Sequence, residues 1–214
     1  ADYAYTIDGG TEGEIEYENF NAASLTVTVN GVNIHPGSAK NQMINSQLIA
    51  IEFNSLLPAH QVPECTEGYE GFYLFDTITG NVEKTVIEYI IRDHDRAKFE
   101  YKKDFAKEIA EFLNKKYGEN TVIAEITDSY YNMKEKILPN MFIIDNLIKA
   151  MEKANVTPDI VPIRGGTDGA RLSFRGLPCP NMGTGGQNFH GRYEYISVQA
   201  MERVVEIIKA LVSM

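Results

Sequence analysis

The order of hydrophobic patterns between residues 22 and 131 is the feature that most restricts the fold of this chain. Apolar residues either alternate with polar ones, as in a half-buried strand, or recur every three to four positions, as on one helix face. The predicted order is strand, helix, strand, strand, helix, strand. It rests on these residues and runs: Leu25, Val27 and Val29; Ile44, Leu48 and Ile51; 71–77; 82–92; Phe105, Ile109 and Phe112; Val122, Ala124 and Ile126.

This order predicts a ferredoxin-like βαββαβ unit. Asn30-Gly31 ends the first strand, and Thr79-Gly80-Asn81 is typical of a hairpin turn between the second and third strands. Pro58 requires the first helix to end before it, and Gly118 closes the second. Because this fold supports many unrelated functions, it predicts no activity by itself.

Residues after 131 alternate helix and strand patterns, which favours an α/β layer. The fold class we predict is therefore α/β with an inserted α+β unit, and the predicted boundaries are 1–21, 22–133 and 134–214. The evidence for the last segment is a helical stripe at Ile144, Leu147, Ile148 and Met151, short strands at 160–163 and 177–182, and a C-terminal helix marked by Val198, Met201, Val205, Ile208 and Val212.

Composition limits the classes of partner. The chain is 43% hydrophobic and 23% charged, which is typical of a soluble globular protein. Its net charge of −10 argues against a nucleic-acid partner, since phosphate binding needs clustered cations. No apolar run approaches a membrane span, and no signal peptide is apparent, so we expect no membrane partner. Cys65 and Cys179 fit no short-spaced motif, so we expect free thiols and a cytoplasmic location.

Three glycine-rich stretches carry side chains with chemical potential. Asp8, before Gly9-Gly10, is either a solvated turn residue or an oxygen ligand for a divalent metal. His190 is either a surface residue or a nitrogen ligand for zinc. Arg164 either forms a surface ion pair or grips a carboxylate through its planar guanidinium. Asp168 could orient Arg164 or cap the following helical turn, and we favour that structural role.

Two further candidates lie in the βαββαβ segment. His35, held by Pro36-Gly37, could donate to a developing oxyanion or could simply be exposed. Arg92 lies in a charge-rich strand end and is a possible substrate contact. The acidic residues Glu12, Glu14, Glu16 and Glu18 alternate strictly, which predicts one solvated strand face rather than a metal cluster.

Taken together, these segments resemble the peptidase T family, tripeptide aminopeptidases of the dizinc exopeptidase clan that also contains carboxypeptidase G and succinyl-diaminopimelate desuccinylase. The resemblance covers the chain from end to end. It rests on Ile7-Asp-Gly-Gly10, Glu18-Asn-Phe-Asn-Ala-Ala23, His35-Pro-Gly37, Thr66-Glu-Gly-Tyr-Glu-Gly-Phe72, Tyr89-Ile-Ile-Arg-Asp93, Asp128-Ser-Tyr-Tyr-Asn-Met133, Pro162-Ile-Arg-Gly-Gly-Thr-Asp-Gly-Ala170, Gly176-Leu-Pro-Cys-Pro-Asn181 and His190-Gly191.

The resemblance implies a catalytic domain with two zinc ions and an inserted lid that also forms a homodimer. By position, Asp8 resembles the aspartate ligand of one zinc and His190 the histidine ligand of the other. His35 resembles the lid histidine that stabilises the tetrahedral intermediate, in its own subunit or the partner's. Arg164 and Arg92 resemble residues that hold a short peptide substrate through carboxylate or carbonyl oxygens.

One departure from the family pattern is an absence. The family's His-x-Asp element and adjacent Glu-Glu pair, which supply the remaining ligands and the general base, precede the Asp-Gly-Gly stretch, and neither occurs here. With Ala1 as first residue, the chain resembles the C-terminal half of such an enzyme, for which the missing N-terminal half is a required partner. We expect tripeptide hydrolysis by the full-length enzyme and little by this part. The alternatives are a non-catalytic dimerising fragment, or an amidohydrolase or carboxypeptidase of the same clan.

Overall fold

The computed structural model describes residues 1–214 and divides them into two compact units. The inserted unit is Asn21–Ser129, and the discontinuous unit combines Ala1–Phe20 with Tyr130–Met214. The strands are β1 (Thr6–Gly9), β2 (Glu14–Glu16), β3 (Asn21–Asn30), β4 (Phe72–Gly80), β5 (Lys84–Asp93), β6 (Val122–Tyr130), β7 (Asp159–Ile160), β8 (Asn181–Gly183), β9 (Gly186–Gln187) and β10 (Tyr195–Ile196). The helices are α1 (Ser46–Leu56), α2 (Arg96–Tyr117), α3 (Lys134–Ile137), α4 (Phe142–Lys153), α5 (Asp168–Phe174) and α6 (Val198–Leu211).

The inserted unit follows the order β3, α1, β4, β5, α2, β6 and forms one four-stranded sheet in the order β4-β5-β3-β6. β5 pairs antiparallel with both β3 and β4. The prediction of a mixed fold with a ferredoxin-like βαββαβ unit is confirmed. The hairpin predicted around Thr79-Gly80-Asn81 is present, with Asn81 N donating to Lys84 O at 2.9 Å.

The core of the inserted unit follows from the alternation of its strands. Leu25, Val27 and Val29 on β3 are buried, as are Ile87, Tyr89 and Ile91 on β5, whereas the residues between them are more exposed. Helices α1 and α2 contact both of these central strands and each other, so they cover the same face of the sheet. Phe53, Phe99 and Leu113 supply the helical part of the core and are inaccessible to solvent.

The predicted faces of the two helices in the inserted unit are only partly correct. Ile109 is buried as predicted, but Leu48 and Ile51 are 64% and 60% exposed, and Phe112 is 52% exposed. The buried apolar residues are Ile49, Ala50 and Phe53 on α1, and Phe99, Ala106, Ile109, Ala110 and Leu113 on α2. Each helix has apolar residues on adjacent positions, so two stripes satisfy the same periodicity and packing against the sheet selects one of them.

A buried ion pair joins β5 to α2. Lys102 Nζ lies 3.6 Å from Asp93 Oδ2, and both side chains are almost inaccessible. Lys102 also donates to Gln61 Oε1 and lies over the Tyr73 ring. Burial raises the pKa of Asp93 and lowers the pKa of Lys102, while the charge of each partner opposes the shift of the other. Each charge of the pair is therefore stabilised by the other, because either charge alone would be buried without compensation.

The discontinuous unit has much shorter strands. β1, β8, β2 and β7 form a sheet in that order, and β9 pairs with β10. Its apolar core centres on α4. Of the predicted stripe, Ile144, Leu147 and Met151 are buried together with Ile137 and Ile143, and Ile148 packs partly buried against this cluster.

The strand predicted at 177–182 is confined to β8, Asn181–Gly183. Pro178 and Pro180 accept hydrogen bonds from Ala4 N and Thr6 N but have no N–H of their own to donate. Residues 178–180 therefore run alongside the start of the chain, and regular pairing with β1 begins only at Asn181. Similarly, the strand predicted at 160–163 is β7 followed by an isolated bridge between Asn19 and Ile163.

The predicted apolar face of α6 is wrong at four of its five residues. Val198, Met201, Val205 and Val212 are exposed, and only Ile208 packs partly buried against the core. The buried residues are Ala200, Val204 and Ile207. Helix α6 contacts α4, and this contact selects the second stripe. Cys65 is an exposed free thiol, and Cys179 is a buried one. None of the helices has both the length and the hydropathy needed to cross a membrane.

Candidate functional site

Two of the glycine-rich stretches meet in one pocket of the discontinuous unit. The pocket has a volume of about 270 Å³ and is lined by Asp8, Tyr130, Gly166, Thr167, Asp168 and Arg171. Asp8 comes from the end of β1, and four of the others come from the loop and first turn of α5. Asp8 and Asp168 were candidates from the sequence pattern, whereas Tyr130, Thr167 and Arg171 were not predicted as site residues.

A bulge positions Asp8. In the parallel pairing of β1 with β8, Ile7 lies opposite Met182 and Gly9 lies opposite Gly183, so Asp8 is the extra residue. A bulge of this kind redirects a side chain and is common beside active sites. Asp8 is exposed and lines the pocket, which is the placement that a ligand or substrate contact requires.

The loop before α5 carries the other wall of the pocket. Thr167 is the N-cap of α5, because its hydroxyl accepts a hydrogen bond from Gly169 N at 3.2 Å. The capping role expected for Asp168 therefore belongs to Thr167. Asp168 is the first residue of the helix, and Arg171 follows it by three positions, so both side chains share one helix face. This spacing was the available sequence signal for Arg171.

Arg164 lies just before the pocket loop. Its guanidinium is 5.2 Å from the centre of the Phe20 ring, which is within the range of a cation–π contact. Phe20 N donates to Gly165 O at 3.3 Å, so the backbone also ties these two segments together. Arg164 is half-buried and is not among the residues that line the pocket.

His190 lies in the loop that joins β9 to β10. It is exposed and has a positive φ of 59°. Its backbone N–H donates to Glu194 Oε2 at 2.8 Å, so the acidic side chain holds the backbone of the loop rather than the imidazole. His190 does not line the pocket that contains Asp8.

The metal donors of this chain do not form a complete site. Nowhere in residues 1–214 do three or more His, Cys, Asp or Glu side chains form a group that could hold a metal ion. Zinc sites in proteins use three or four protein ligands. Asp8 and His190 are therefore not a zinc site by themselves.

His35 and Arg92 lie in the inserted unit. His35 caps a short 3-10 turn, Pro36–Ser38, and its Nδ1 accepts a hydrogen bond from Gly37 N at 3.1 Å. Because Nδ1 uses its lone pair in this bond, the proton of the neutral imidazole is on Nε2, which is left as a donor. Arg92 lies on β5 opposite Phe72, with its guanidinium 6.0 Å from the centre of that ring.

The prediction of a solvated acidic face between Glu12 and Glu18 is wrong. Glu16 and Glu18 are each only 7% exposed. Every member has a partner: Arg203 for Glu12, Thr11 for Glu14, Asn181 for Glu16 and Lys134 for Glu18. Burial raises the pKa of Glu16 to about 7; the Asn181 hydrogen bond opposes the shift, and the charges of Glu14 and Asp8 add to it. The alternation of these residues reflects pairing within the fold, not exposure.

Comparisons with known proteins find similarity to a peptidase family model and to proteins named peptidase T. Residues 17–121 match the family described as the peptidase dimerisation domain. The chain is 58% identical over 214 residues, all of its length, to a peptidase T from Alkaliphilus oremlandii, of which it covers 52%. It is 60% identical over 208 residues, 97% of its length, to a peptidase T from Clostridium perfringens, of which it covers 51%. The chain thus spans about half the length of the curated relatives it matches.

Solved structures share the fold. The aminopeptidase PepT from Bacillus cereus superposes with a TM-score of 0.84 at 22% identity, covering 99% of this chain and 56% of that one. A tripeptidase from Staphylococcus aureus superposes with a TM-score of 0.83 at 18% identity, covering 100% and 58%. At such identities the superpositions are evidence of a shared fold.

Proposed function

Because the chain belongs to the peptidase T family, we propose that it is about half of a zinc-dependent, cytoplasmic aminopeptidase that removes the N-terminal residue of tripeptides. The observation that carries the proposal is the identity of 58% over the whole chain with a protein named peptidase T. The pocket supports it, since Asp8, Asp168, Tyr130 and Arg171 give one small polar cavity where a short peptide could bind.

The proposed metal site needs residues beyond these 214. Asp8 would supply one oxygen ligand and His190 one nitrogen ligand, each to a different zinc ion. Because two ligands fall short of a zinc site, we propose that the other ligands and the general base come from the remaining half of the longer protein. This chain alone is then expected to be inactive.

The residues of this chain would bind and polarise the substrate. His35 would donate from Nε2 to the oxygen that gains negative charge, a role for which its Nδ1 hydrogen bond sets the correct tautomer. Arg164 would bind the terminal carboxylate of the tripeptide, with its guanidinium packed against the Phe20 ring. Arg92 would contact a substrate carbonyl or carboxylate oxygen.

The first test measures substrate class in the full-length protein. A free tripeptide, the same peptide with an acetylated N-terminus and an N-acyl amino acid are supplied separately, and the released amino acid is quantified. We expect cleavage of the free tripeptide alone and loss of activity on treatment with a chelator. Faster cleavage of either blocked compound would favour the amidohydrolase or carboxypeptidase alternative instead.

A second test isolates Arg164. The full-length protein is assayed with a tripeptide and with its C-terminal amide, which lacks the carboxylate. The wild type should prefer the free acid, and Arg164→Ala should lose most of that preference through a higher KM. Arg175→Ala is the matched control, because Arg175 is an exposed arginine at the end of α5. Retention of the preference in Arg164→Ala would contradict the carboxylate role.

A third test isolates His35. His35→Ala should lower kcat by about 10²–10³, the usual loss of one oxyanion donor, with a small change in KM. His60→Ala is the control, since His60 is also an exposed loop histidine of the inserted unit. Equal effects of the two substitutions would argue that His35 has no special role.

The inserted unit carries a second proposed property, self-association into a homodimer. Leu48, Ile51 and Phe112 leave apolar side chains in water on its helices, and the family matched by residues 17–121 is named for dimerisation. Sedimentation of the 214-residue chain should give a dimer, and Leu48→Asp should give a monomer. Gln47→Asp, at the neighbouring exposed position, should leave the dimer intact. A monomeric wild type would exclude this property.

A further inference from the structure

The Asn181 side chain is a hydrogen-bonding centre within the discontinuous unit. Asn181 is 1% exposed. Its Oδ1 accepts hydrogen bonds from the hydroxyl of Thr6 and, at 2.9 Å, from the hydroxyl of Thr167. Its Nδ2 donates to Glu16 Oε2 at 3.1 Å. One amide therefore joins three segments that are 14 to 175 positions away in the sequence.

Each of these bonds leads to a wall of the pocket. Thr6 lies two positions before Asp8 on β1, and Glu16 accepts from the backbone of Gly10, two positions after Asp8. The amide thus holds the bulge from both sides. Thr167 lines the pocket itself and caps α5, the helix that carries Asp168 and Arg171.

The surroundings of the amide leave no space for rearrangement. A Cβ atom at Gly9 would lie 2.9 Å from Glu16 Oε2, closer than real Cβ atoms come to their neighbours. A Cβ at Gly169 would lie 2.9 Å from Asn181 Oδ1 and 3.1 Å from Thr6 Oγ1. Glycine at both positions lets the backbone pack directly on the polar groups, so the network cannot shift without moving the Asp8 turn or the start of α5.

Only a primary amide of this length satisfies all three partners. It must accept from two hydroxyls and donate to a carboxylate in the same buried place. An aspartate would place a second carboxylate against Glu16, and an apolar residue would remove one hydrogen bond from each of the two partly buried hydroxyls and from the buried Glu16 carboxyl. The neighbouring bond between Ser173 Oγ and Cys179 N is a useful contrast: it is equally buried and involves α5, but neither residue lines the pocket.

We propose that Asn181 is a positioning residue that fixes the Asp8 turn relative to the loop and first turn of α5, and so sets the geometry of the substrate pocket. The catalytic part of this inference rests on the proposed peptidase function. Its structural part, coupling between the two walls, is independent of any activity.

The structural part is tested by hydrogen exchange and mass spectrometry on the 214-residue chain. In Asn181→Ala, peptides covering residues 7–11 and 166–170 should both exchange at least about tenfold faster. Both segments lose a hydrogen bond when the Asn181 amide is removed, so both should open more often. Ser173→Ala should speed exchange near Cys179 and leave those two peptides unchanged. Faster exchange in only one wall, or an equal increase throughout the unit, would overturn the coupling.

Thr6→Val keeps the shape of the side chain and removes a single donor, so it provides the same test if Asn181→Ala does not fold. We expect the same two peptides to accelerate by a smaller factor. Unchanged exchange in both peptides would contradict the proposal that the hydrogen bonds of Asn181 couple the Asp8 turn to the start of α5.

The catalytic part is tested on the full-length protein with a tripeptide. Asn181→Ala should lower kcat/KM by about 10²-fold, a loss typical of misplaced pocket groups, while Ser173→Ala stays within about threefold of wild type. Parallel losses in both variants would reduce Asn181 to a stabilising residue. If the wild type cleaves no tripeptide but the exchange pattern is as expected, the proposed function fails and the positioning network stands.

Discussion

The two units of this chain are stabilised in different ways. In the inserted unit, β3 and β5 pair over ten consecutive positions, and their alternating side chains build a continuous apolar core. In the discontinuous unit no strand exceeds four residues, and side-chain hydrogen bonds such as those of Asn181 join its sheet to a helix. The alternation of apolar and polar residues along the strands is thus enough to specify the inserted unit. The discontinuous unit depends instead on polar contacts between residues that are distant in the sequence.

The largest expected effect tests the apolar core of the inserted unit. Phe53→Ala should lower the free energy of unfolding by about 3–5 kcal/mol, because Phe53 is inaccessible and its removal leaves a cavity beside Tyr89. Urea unfolding measures the loss. Gln47→Ala, at an exposed position of the same helix outside the proposed dimer contact, should stay within about 0.5 kcal/mol of wild type. Similar losses in the two variants would contradict the face assigned to α1.

The second prediction compares one ion pair from each unit. Lys102→Met should cost about 3–5 kcal/mol, because it leaves the buried Asp93 carboxylate without its partner. The double variant with Asp93→Asn should cost less than the two single variants together. Lys209→Met, which breaks the shorter 2.9 Å contact with Glu206, should cost at most about 1 kcal/mol, since both of these side chains are more than half exposed. Chemical denaturation ranks the variants, and the reverse order would contradict the role of burial.

The third prediction concerns the pH dependence of the discontinuous unit. The pKa of Glu16 is about 7 in the folded chain, and about 4.3 is expected in the unfolded chain. The folded state therefore binds more protons between these values, and stability falls as pH rises from about 4.5 to 7. Glu16→Gln should remove a fall on the order of 2 kcal/mol. The free energy of unfolding in urea is measured for variant and wild type at pH 5 and at pH 8. If the variant and the wild type differ by the same amount at both pH values, the raised pKa of a buried Glu16 carboxyl is contradicted.

The smallest effect concerns one helix end in the discontinuous unit. Ser197 is the N-cap of α6, with its hydroxyl accepting from Ala200 N at 3.1 Å. Ser197→Ala should cost about 1 kcal/mol in thermal or urea unfolding. Ser213→Ala is the control, because its hydroxyl bonds to an exposed carbonyl at the far end of the helix. A larger cost for Ser213→Ala would mean that the C-terminal segment has an unrecognised contact.

The inserted unit was largely predictable because its fold depends on local patterns. Alternation gave the strands, Thr79-Gly80-Asn81 gave the hairpin, and the helical spacing gave α1 and α2. The same spacing gave Ile109 correctly but placed Leu48, Ile51 and Phe112 on the buried faces, and these three are exposed. Leu48 and Ile49, or Phe112 and Leu113, are adjacent apolar residues, and only contact with the sheet distinguishes between them.

The discontinuous unit and its pocket were less predictable. The stripe on α4 was correct, but the acidic run was misinterpreted, because Glu16 and Glu18 find partners far away in the sequence. The fold brings Asp8 into one pocket with Tyr130, Thr167 and Arg171. These residues are distant from Asp8 in the sequence, so no local sequence pattern predicts their proximity. The roles of Asp8, His190, His35, Arg164 and Arg92 remain predictions for the experiments above.

The insertion also has a consequence for how the chain folds. Asn19 N donates to Asn132 Oδ1, and Asn19 Oδ1 accepts from Met133 N, contacts that are 113 and 114 positions apart. Closing an open loop of roughly 110 residues costs about 4 kcal/mol of chain entropy. If β3 and β6 have already paired, most of that loss has been met, because the two strands hold the loop ends together. The refolding rate of the discontinuous unit should therefore depend on the stability of the inserted one, and a substitution such as Phe53→Ala should slow both.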